Sequence, residues 1–278
     1  GLMSTNKNLP EKSIFKAYDI RGVVGETLND QIILNIGQSI GSEALRQNQK
    51  TICVGYDGRL SSPHILNMLS KGLLSTGIDV INIGLVTTPM LYFSTFELKT
   101  NSGVMITGSH NPPEYNGFKI IINEKTLSSN DIQKLYKRII NNEYMTGAGK
   151  IVNSNIKVSY LERIYSDINL ERPVHIAIDC GNGAAGVCAE ELFNGIGAKV
   201  ETLFCEVDGN FPNHHPDPSN IDNLNDLIRL VKDGKSELGL AFDGDGDRLG
   251  VITKKGRVIY PDRQLLLFAE DVLKKNPG

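Results

Sequence analysis

The sequence predicts an α/β chain of two domains, each a mixed, largely parallel sheet with flanking helices. Three observations lead there. Short apolar runs ending in Gly or Asp alternate with stretches of helical period, the pattern of strands joined by crossover helices. The alternation halts at Thr146-Gly-Ala-Gly149, a linker candidate, and then restarts. The 278 residues suit two domains at about 100–200 residues each. The expected division is 1–150 and 151–260, with 261–278 as the start of a third domain.

The elements follow in order. Residues 1–12 are polar and expected to fray, with Gly1-Leu2 reading as a remnant ahead of a native start at Met3. Thr51–Tyr56 is a buried strand ending at Asp57-Gly58. Ser62-Pro63 opens a helix with an apolar stripe of Ile65, Leu66, Leu69, Leu73 and Leu74, stopped by Gly77. Val80–Ile83 is a strand, and Pro89 starts a helix running to Lys99. Gly103–Thr107 and Gly117–Ile122 are strands, and Asn130–Asn141 is a helix with Ile132, Leu135, Ile139 and Ile140 on one face. Beyond the linker come a helix over Val158–Ile168, a strand over Val174–Ile178, a helix over Ala184–Phe193 and a strand over Lys199–Leu203. A Pro- and His-rich loop, Phe211–Ser219, precedes a helix over Leu224–Lys232 and strands over Leu238–Phe242 and Val251–Thr253. Asp262–Lys275 reads as a helix whose apolar face has nothing to cover it, as expected of a piece of a longer protein.

Composition narrows the function. With 29 Lys+Arg against 32 Asp+Glu, a net charge of −3 gives no bulk attraction to nucleic acid. No apolar run approaches the ~18 residues needed to span a bilayer, and no signal-peptide core precedes the first strand. The cysteines, Cys53, Cys180, Cys188 and Cys205, are scattered without zinc or dithiol spacing, which suits packing roles in a reducing compartment.

Three stretches have chemical potential. Thr107-Gly-Ser-His-Asn-Pro-Pro113, continuing to Asn116-Gly-Phe-Lys119, puts Ser109 at the carboxyl end of a strand, where open α/β sheets bind ligands. Ser109 beside His110, with Lys119 returning on the next strand, reads either as a nucleophile with proton and charge partners or as a capped turn. Asp243-Gly-Asp-Gly-Asp-Arg248 follows an apolar strand, and its three carboxylates, on one side if extended, call for a hard divalent cation such as Mg²⁺. The alternative is a solvated acidic turn. Gly181-Asn-Gly-Ala-Ala-Gly186 matches a dinucleotide fingerprint between strand and helix, but Glu201, the acid near the usual spacing of about 20 residues, falls inside the next strand rather than at its end, and a tight turn is the better reading. His214-His215 could ligate metal, though adjacent histidines point apart. In Phe15-Lys-Ala-Tyr-Asp-Ile-Arg-Gly22, Arg21 is either a phosphate holder or part of a surface strand.

Together, F-K-A-Y-D-I-R-G at 15–22, T-G-S-H-N-P-P-E-Y-N-G-F-K at 107–119, F-P-N-H-H-P-D-P at 211–218 and D-G-D-G-D-R at 243–248 resemble the α-D-phosphohexomutase family. The likeness is greatest to its bacterial phosphomannomutase/phosphoglucomutase branch, Gly108 being the weak discriminator from phosphoglucosamine mutases. The resemblance implies the first two of four domains, with the C-terminal domains missing as partners. It implies that Ser109 carries the phosphoryl group, and that Asp243, Asp245 and Asp247 hold Mg²⁺ together with a phosphoserine oxygen. Arg21, His110 and Lys119 would surround the phosphoryl group, with Tyr18 and Arg248 beside it. The charge logic agrees, since a phosphoserine adds about −1.5 to −2 to three carboxylates and demands cations. The implied activity is a cytoplasmic interconversion of mannose or glucose 1- and 6-phosphates through a hexose 1,6-bisphosphate, with this chain alone a poor catalyst. A phosphoglucosamine mutase, a metal- and phosphate-binding module without turnover, and a dinucleotide oxidoreductase are the alternatives.

Overall fold

A computed structural model describes residues 8–261, so the expected helix over 262–275 and the first seven residues lie outside the described residues. The first sheet has seven strands: β1 (Ile20–Val23), β2 (Thr51–Tyr56), β3 (Asp79–Leu85), β4 (Gly103–Ile106), β5 (Tyr115–Ile122), β6 (Lys125–Thr126) and β7 (Ile151–Asn153). Their order is β1-β5-β4-β2-β3-β7, with β6 paired to β5. Strands β4, β2, β3 and β7 run parallel, while β5 returns antiparallel between β4 and β1. The helices that cover it are α1 (Asp30–Arg46), α2 (Ser62–Ser75), α3 (Thr88–Glu97) and α4 (Ser129–Ile140).

Helix α1 is not among the expected elements. Asn29 caps it by accepting the Ile32 N–H, and Ile32, Ile33, Ile36, Ile40 and Ala44 form its buried stripe. The Phe15–Gly22 stretch is no surface strand either, because Ile20, Arg21 and Gly22 of β1 are buried. The linker candidate is not free. Gly147 and Gly149 N–H bond to the Ser75 and Leu74 carbonyls at the end of α2. The chain then adds β7 beside β3, so the first sheet takes its last strand from beyond the division expected at 150/151.

The second sheet contains β8 (His175–Asp179), β9 (Lys199–Leu203), β10 (Leu238–Phe242), β11 (Leu249–Thr253) and β12 (Val258–Ile259), in the order β12-β11-β10-β8-β9. Strands β9, β8 and β10 are parallel, and β11 and β12 return antiparallel. Its helices are α5 (Lys157–Asp167), α6 (Ala189–Gly195) and α7 (Asn225–Asp233). The helix expected over Ala184–Phe193 is split. Ala184–Val187 is a 3-10 turn, and α6 begins only after Cys188.

Two apolar layers and a seam organise the interior. Helices α1, α2 and α4 pack on one face of the first sheet through Ile36, Leu69, Leu73, Leu135, Val54 and Phe118. The opposite face, with Cys53 and Met105, joins α3, α5 and α6 and the inner face of the second sheet in one continuous core. That core includes Met90, Leu91, Ile164, Phe193, Ile178 and Leu240, so the two domains share it. Leu227 and Val231 of α7 close the outer face over Ala177, Ala241 and Ile252.

Helices α1 and α2 touch backbone to backbone. A Cβ on Gly72 would collide with the Leu34 carbonyl, and one on Gly37 with the Leu69 carbonyl. Replacing Gly by Ala inside a helix ordinarily gains about 1 kcal/mol in propensity, while overpacking a tight contact costs about 1–3 kcal/mol. We expect the collision to win, so that Gly72→Ala lowers the urea unfolding free energy by roughly 1–2 kcal/mol. A variant as stable as wild type would show that the two helices slide apart cheaply.

Candidate active site

The Ser109 loop leaves the carboxyl end of β4, and the acidic turn leaves the carboxyl end of β10. The apolar seam brings these two ends together. Gly244 makes the approach possible, because a Cβ there would strike the Ser109 carbonyl. Ser109 itself has φ 54, a left-handed backbone that an ordinary side chain adopts only when its surroundings impose it. Its hydroxyl donates to Asp243 Oδ2 at 3.2 Å and stands 3.2 Å from His110 Nδ1.

The segment after β10 is a turn rather than an extended run, with Gly246 at φ 70. Its three acids therefore occupy different surroundings instead of lining one side. Asp243 and Asp245 are fully buried, whereas Asp247 is partly exposed. Asp243 Oδ1 accepts the N–H groups of Asp247 and Arg248. Burial, and then the charge of Asp245, pushes the Asp243 carboxyl well above the usual carboxylate range. Asp245 goes the other way. Burial alone would raise it, but the Lys119 ammonium and the Thr88 hydroxyl bonded to its Oδ2 hold it well below the usual range. Lys119 reaches in from β5, 2.7 Å from Asp245 and 3.2 Å from Asp247, and these carboxylates outweigh its burial and keep it protonated.

Thr88 was not expected here. It lies in the first turn of α3, and its backbone N–H also bonds the Asp245 carbonyl, so the positive end of that helix faces the acid. Its only sequence signal is the Thr-Pro helix start.

Seven of the expected residues, Tyr18, Arg21, Ser109, His110, Lys119, Asp247 and Arg248, line one cleft of about 510 Å³ together with Tyr92 of α3, whereas Asp243 and Asp245 are buried and do not line it. Tyr18 is 77% exposed, an aromatic face open to solvent at the rim. Arg21 sits on buried β1 and donates to the Gly108 carbonyl, Asn111 Oδ1 and Asp19, while its buried Nε has no partner. Burial, then the nearby Arg248 charge, lowers the His110 pKa and favours a neutral imidazole beside the hydroxyl. Burial and the Asp247 charge push the Tyr92 phenol up to about 12, leaving it protonated.

The donor set suits a hard divalent cation. It is all oxygen, and Asp245 Oδ1 is buried without any hydrogen-bond partner. Lys119 now supplies the counter-charge, and among the described residues no three His, Cys, Asp or Glu side chains converge in ligand geometry.

The other motifs resolve differently. His215 bonds the His110 carbonyl, which braces the Ser109 loop from the second domain, while His214 bonds Asp179 of β8 within that domain. The glycine-rich turn at 181–186 has its space filled by Pro216, His214 and the Cys205 carbonyl, and it opens a 3-10 turn rather than a helix. It offers no seat for a dinucleotide pyrophosphate. Cys53, Cys180 and Cys188 are buried, and Cys180 and Cys205 bring their sulfurs within 2.8 Å. No described helix is long and apolar enough to cross a membrane.

A serine on a forced turn, facing buried acids across two α/β domains, defines the candidate site. Comparison with known proteins specifies it further. Residues 12–145 match the phosphoglucomutase/phosphomannomutase α/β/α domain I, and residues 158–256 match domain II. The chain belongs to the phosphoglucomutase/phosphomannomutase family. It is 52% identical to a phosphoglucomutase of Neisseria gonorrhoeae over 96% of this chain and 58% of that protein. It is 51% identical to a phosphomannomutase/phosphoglucomutase of Pseudomonas aeruginosa over 99% of this chain and 60% of that protein. The crystal structure of a phosphoglucomutase/phosphomannomutase family protein from Burkholderia thailandensis superposes with a TM-score of 0.89 at 47% identity, covering 97% of this chain and 61% of that one. The chain thus spans about 60% of the length of the curated relatives it matches.

The His214–Asp179 pair, which lies within the second domain next to that brace, has a pH signature. Burial draws the His214 imidazole toward its neutral form, but the Asp179 hydrogen bond and charge outweigh this and hold its pKa above the ordinary 6.5. A cation favoured by folding stabilises fully below the unfolded pKa, and the contribution is lost as pH rises through the folded value. We expect the stability advantage of wild type over His214→Gln, from urea unfolding, to be widest below about pH 6.5 and to narrow as pH rises above it. An advantage that is flat, or that grows with pH, would refute the ion pair.

Proposed function

We propose that this chain carries the phosphoryl-transfer centre of a hexose phosphate mutase that interconverts 1- and 6-phosphates of mannose or glucose. One observation carries the reading: Ser109, on a left-handed backbone at the wall of a cleft that Arg21, Lys119 and Arg248 also line, presents its hydroxyl to both buried Asp243 and His110. The names of the relatives supply the sugar class.

In the reaction, a phosphoryl group on Ser109 Oγ passes to the free hydroxyl of a bound hexose monophosphate. The serine P–O bond breaks, the sugar P–O bond forms, and the hydroxyl proton leaves as the Ser109 oxygen regains one. The bisphosphorylated sugar turns over in the cleft and returns its other phosphate to Ser109. His110 is placed to pass a proton to or from the serine oxygen. Arg21 and Lys119 bring fixed positive charge to the phosphoryl oxygens, the effect on which phosphoryl transfer chiefly depends. Arg248 also lines the cleft, and Tyr18 offers the sugar an aromatic face at the rim.

Asp243, Asp245, Asp247 and an oxygen on Ser109 would hold Mg²⁺, which when bound neutralises charge around the transferring group. On this reading the groups that select the sugar and hold its distal phosphate come from the further length of the longer relatives. The reaction belongs in the cytoplasm, where sugar phosphates and free thiols coexist.

Ser109→Ala should abolish the one-phosphoryl mass gain that glucose 1,6-bisphosphate with Mg²⁺ produces in the wild-type chain. Intact-mass and peptide-level spectrometry would check it, and phosphate found on another residue would sink the role of Ser109. Asp245→Asn should weaken Mg²⁺ binding roughly tenfold or more in titration calorimetry, because it removes the acid whose free oxygen is buried. Unchanged affinity would move the metal away from this turn.

A further inference from the structure

We infer that Arg59 is a positioning residue for Ser109, holding the loop that presents the hydroxyl without touching the substrate. The inference rests on the reading of Ser109 given above. Arg59 lies in the turn after β2 and belongs to none of the motifs that the sequence singles out.

Its side chain is 1% exposed. Nη1 donates to the Pro112 and Tyr115 carbonyls at 2.6 and 3.1 Å. Nη2 donates to the Asn111 and Ser109 carbonyls at 2.7 and 3.3 Å. A single guanidinium thus donates to four carbonyls of the turn from Ser109 to Tyr115. Asp57, whose Oδ2 lies 3.3 Å from Arg59 Nε, takes the Gly108 N–H on that same oxygen at 3.0 Å. The pair therefore grips the loop on both sides of Ser109. This supplies the external restraint that a serine at φ 54 requires. It also accounts for Gly108, since Arg59 Nε occupies the place where a Cβ would stand.

The guanidinium has a second grip. The Phe211 ring of the second domain lies with its centroid 5.5 Å from Arg59 Cζ. Arg59 thereby ties the Ser109 loop to the strap that contains His214 and His215. It does not line the cleft, so its effect reaches the reaction only through the loop. Lysine cannot substitute, because one ammonium lacks the planar fork that spans four carbonyls.

The test is Arg59→Lys, which keeps the charge beside Asp57, in the 278-residue chain. Two readouts are taken: amide hydrogen exchange, and the rate of Ser109 phosphorylation by glucose 1,6-bisphosphate with Mg²⁺. We expect exchange at Gly108, Ser109 and Asn111 to quicken about tenfold or more while α1 and α2 keep their protection. We expect the maximal phosphorylation rate to fall about 10²-fold, the scale of a misplaced reacting group, at an unchanged half-saturating concentration. Unchanged exchange in the loop overturns the inference. So does a rate loss that appears only as a higher half-saturating concentration. Should the lysine variant fail to fold, Phe211→Leu removes only the ring and should raise loop exchange about threefold; no change there overturns the inference as well. A wild-type chain that takes up no phosphate would defeat the reading of Ser109, while the exchange data would still decide the role of Arg59.

Discussion

Two carboxylates buried side by side are the constraint on which this structure turns. Asp243 and Asp245 have no solvent exposure, and two adjacent carboxyl groups without water resist ionising together, so each needs donors or a cation to meet it. The second domain, which supplies both acids, meets only part of that cost. Backbone N–H groups of Asp247 and Arg248 serve Asp243, but the ammonium, the hydroxyl and the helix end that hold Asp245 come from Lys119 on β5 and Thr88 on α3. The Ser109 hydroxyl completes Asp243 from the first domain as well. The acids can be buried only if the two domains are docked, and docking is what delivers the serine to them.

Helix α3 shows how the apolar and polar halves of this junction are joined. Its first turn bonds Asp245, while Met90 and Leu91 enter the core shared with α5, α6 and the second sheet. Apolar burial sets the docking in place without directional preference. The Thr88 bonds, together with His215 on the His110 carbonyl and Phe211 against Arg59, then fix the orientation. Small residues let the loops meet. Gly244 admits the Ser109 carbonyl, and Gly246 packs against Thr87. The result is unevenly satisfied, with Arg21 Nε beside the cleft and Asp245 Oδ1 in the buried turn left without partners.

Much of this was legible in the chain itself. The alternation of apolar strands with helices, the serine at a strand end and the three acids at another are local patterns, written in short runs whose physics is short-ranged. Helix α1 was legible too, through Asn29 and its isoleucine stripe, and reading outward from the clearer Thr51–Tyr56 strand passes it by. Tertiary structure alone decided the rest, because the decisive partners are far apart in sequence. Lys119 meets Asp245, Thr88 meets Asp245 and Ser109 meets Asp243 only through a core that spans both domains. The unequal surroundings of Asp243, Asp245 and Asp247, the strand β7 that extends the first sheet past residue 150, and the buried Arg59 behind Ser109 have no local signature. The sequence by itself determined which groups carry charge and where strands end. Which charges lie buried, and what they face, depended on long-range burial that no short window of residues contains.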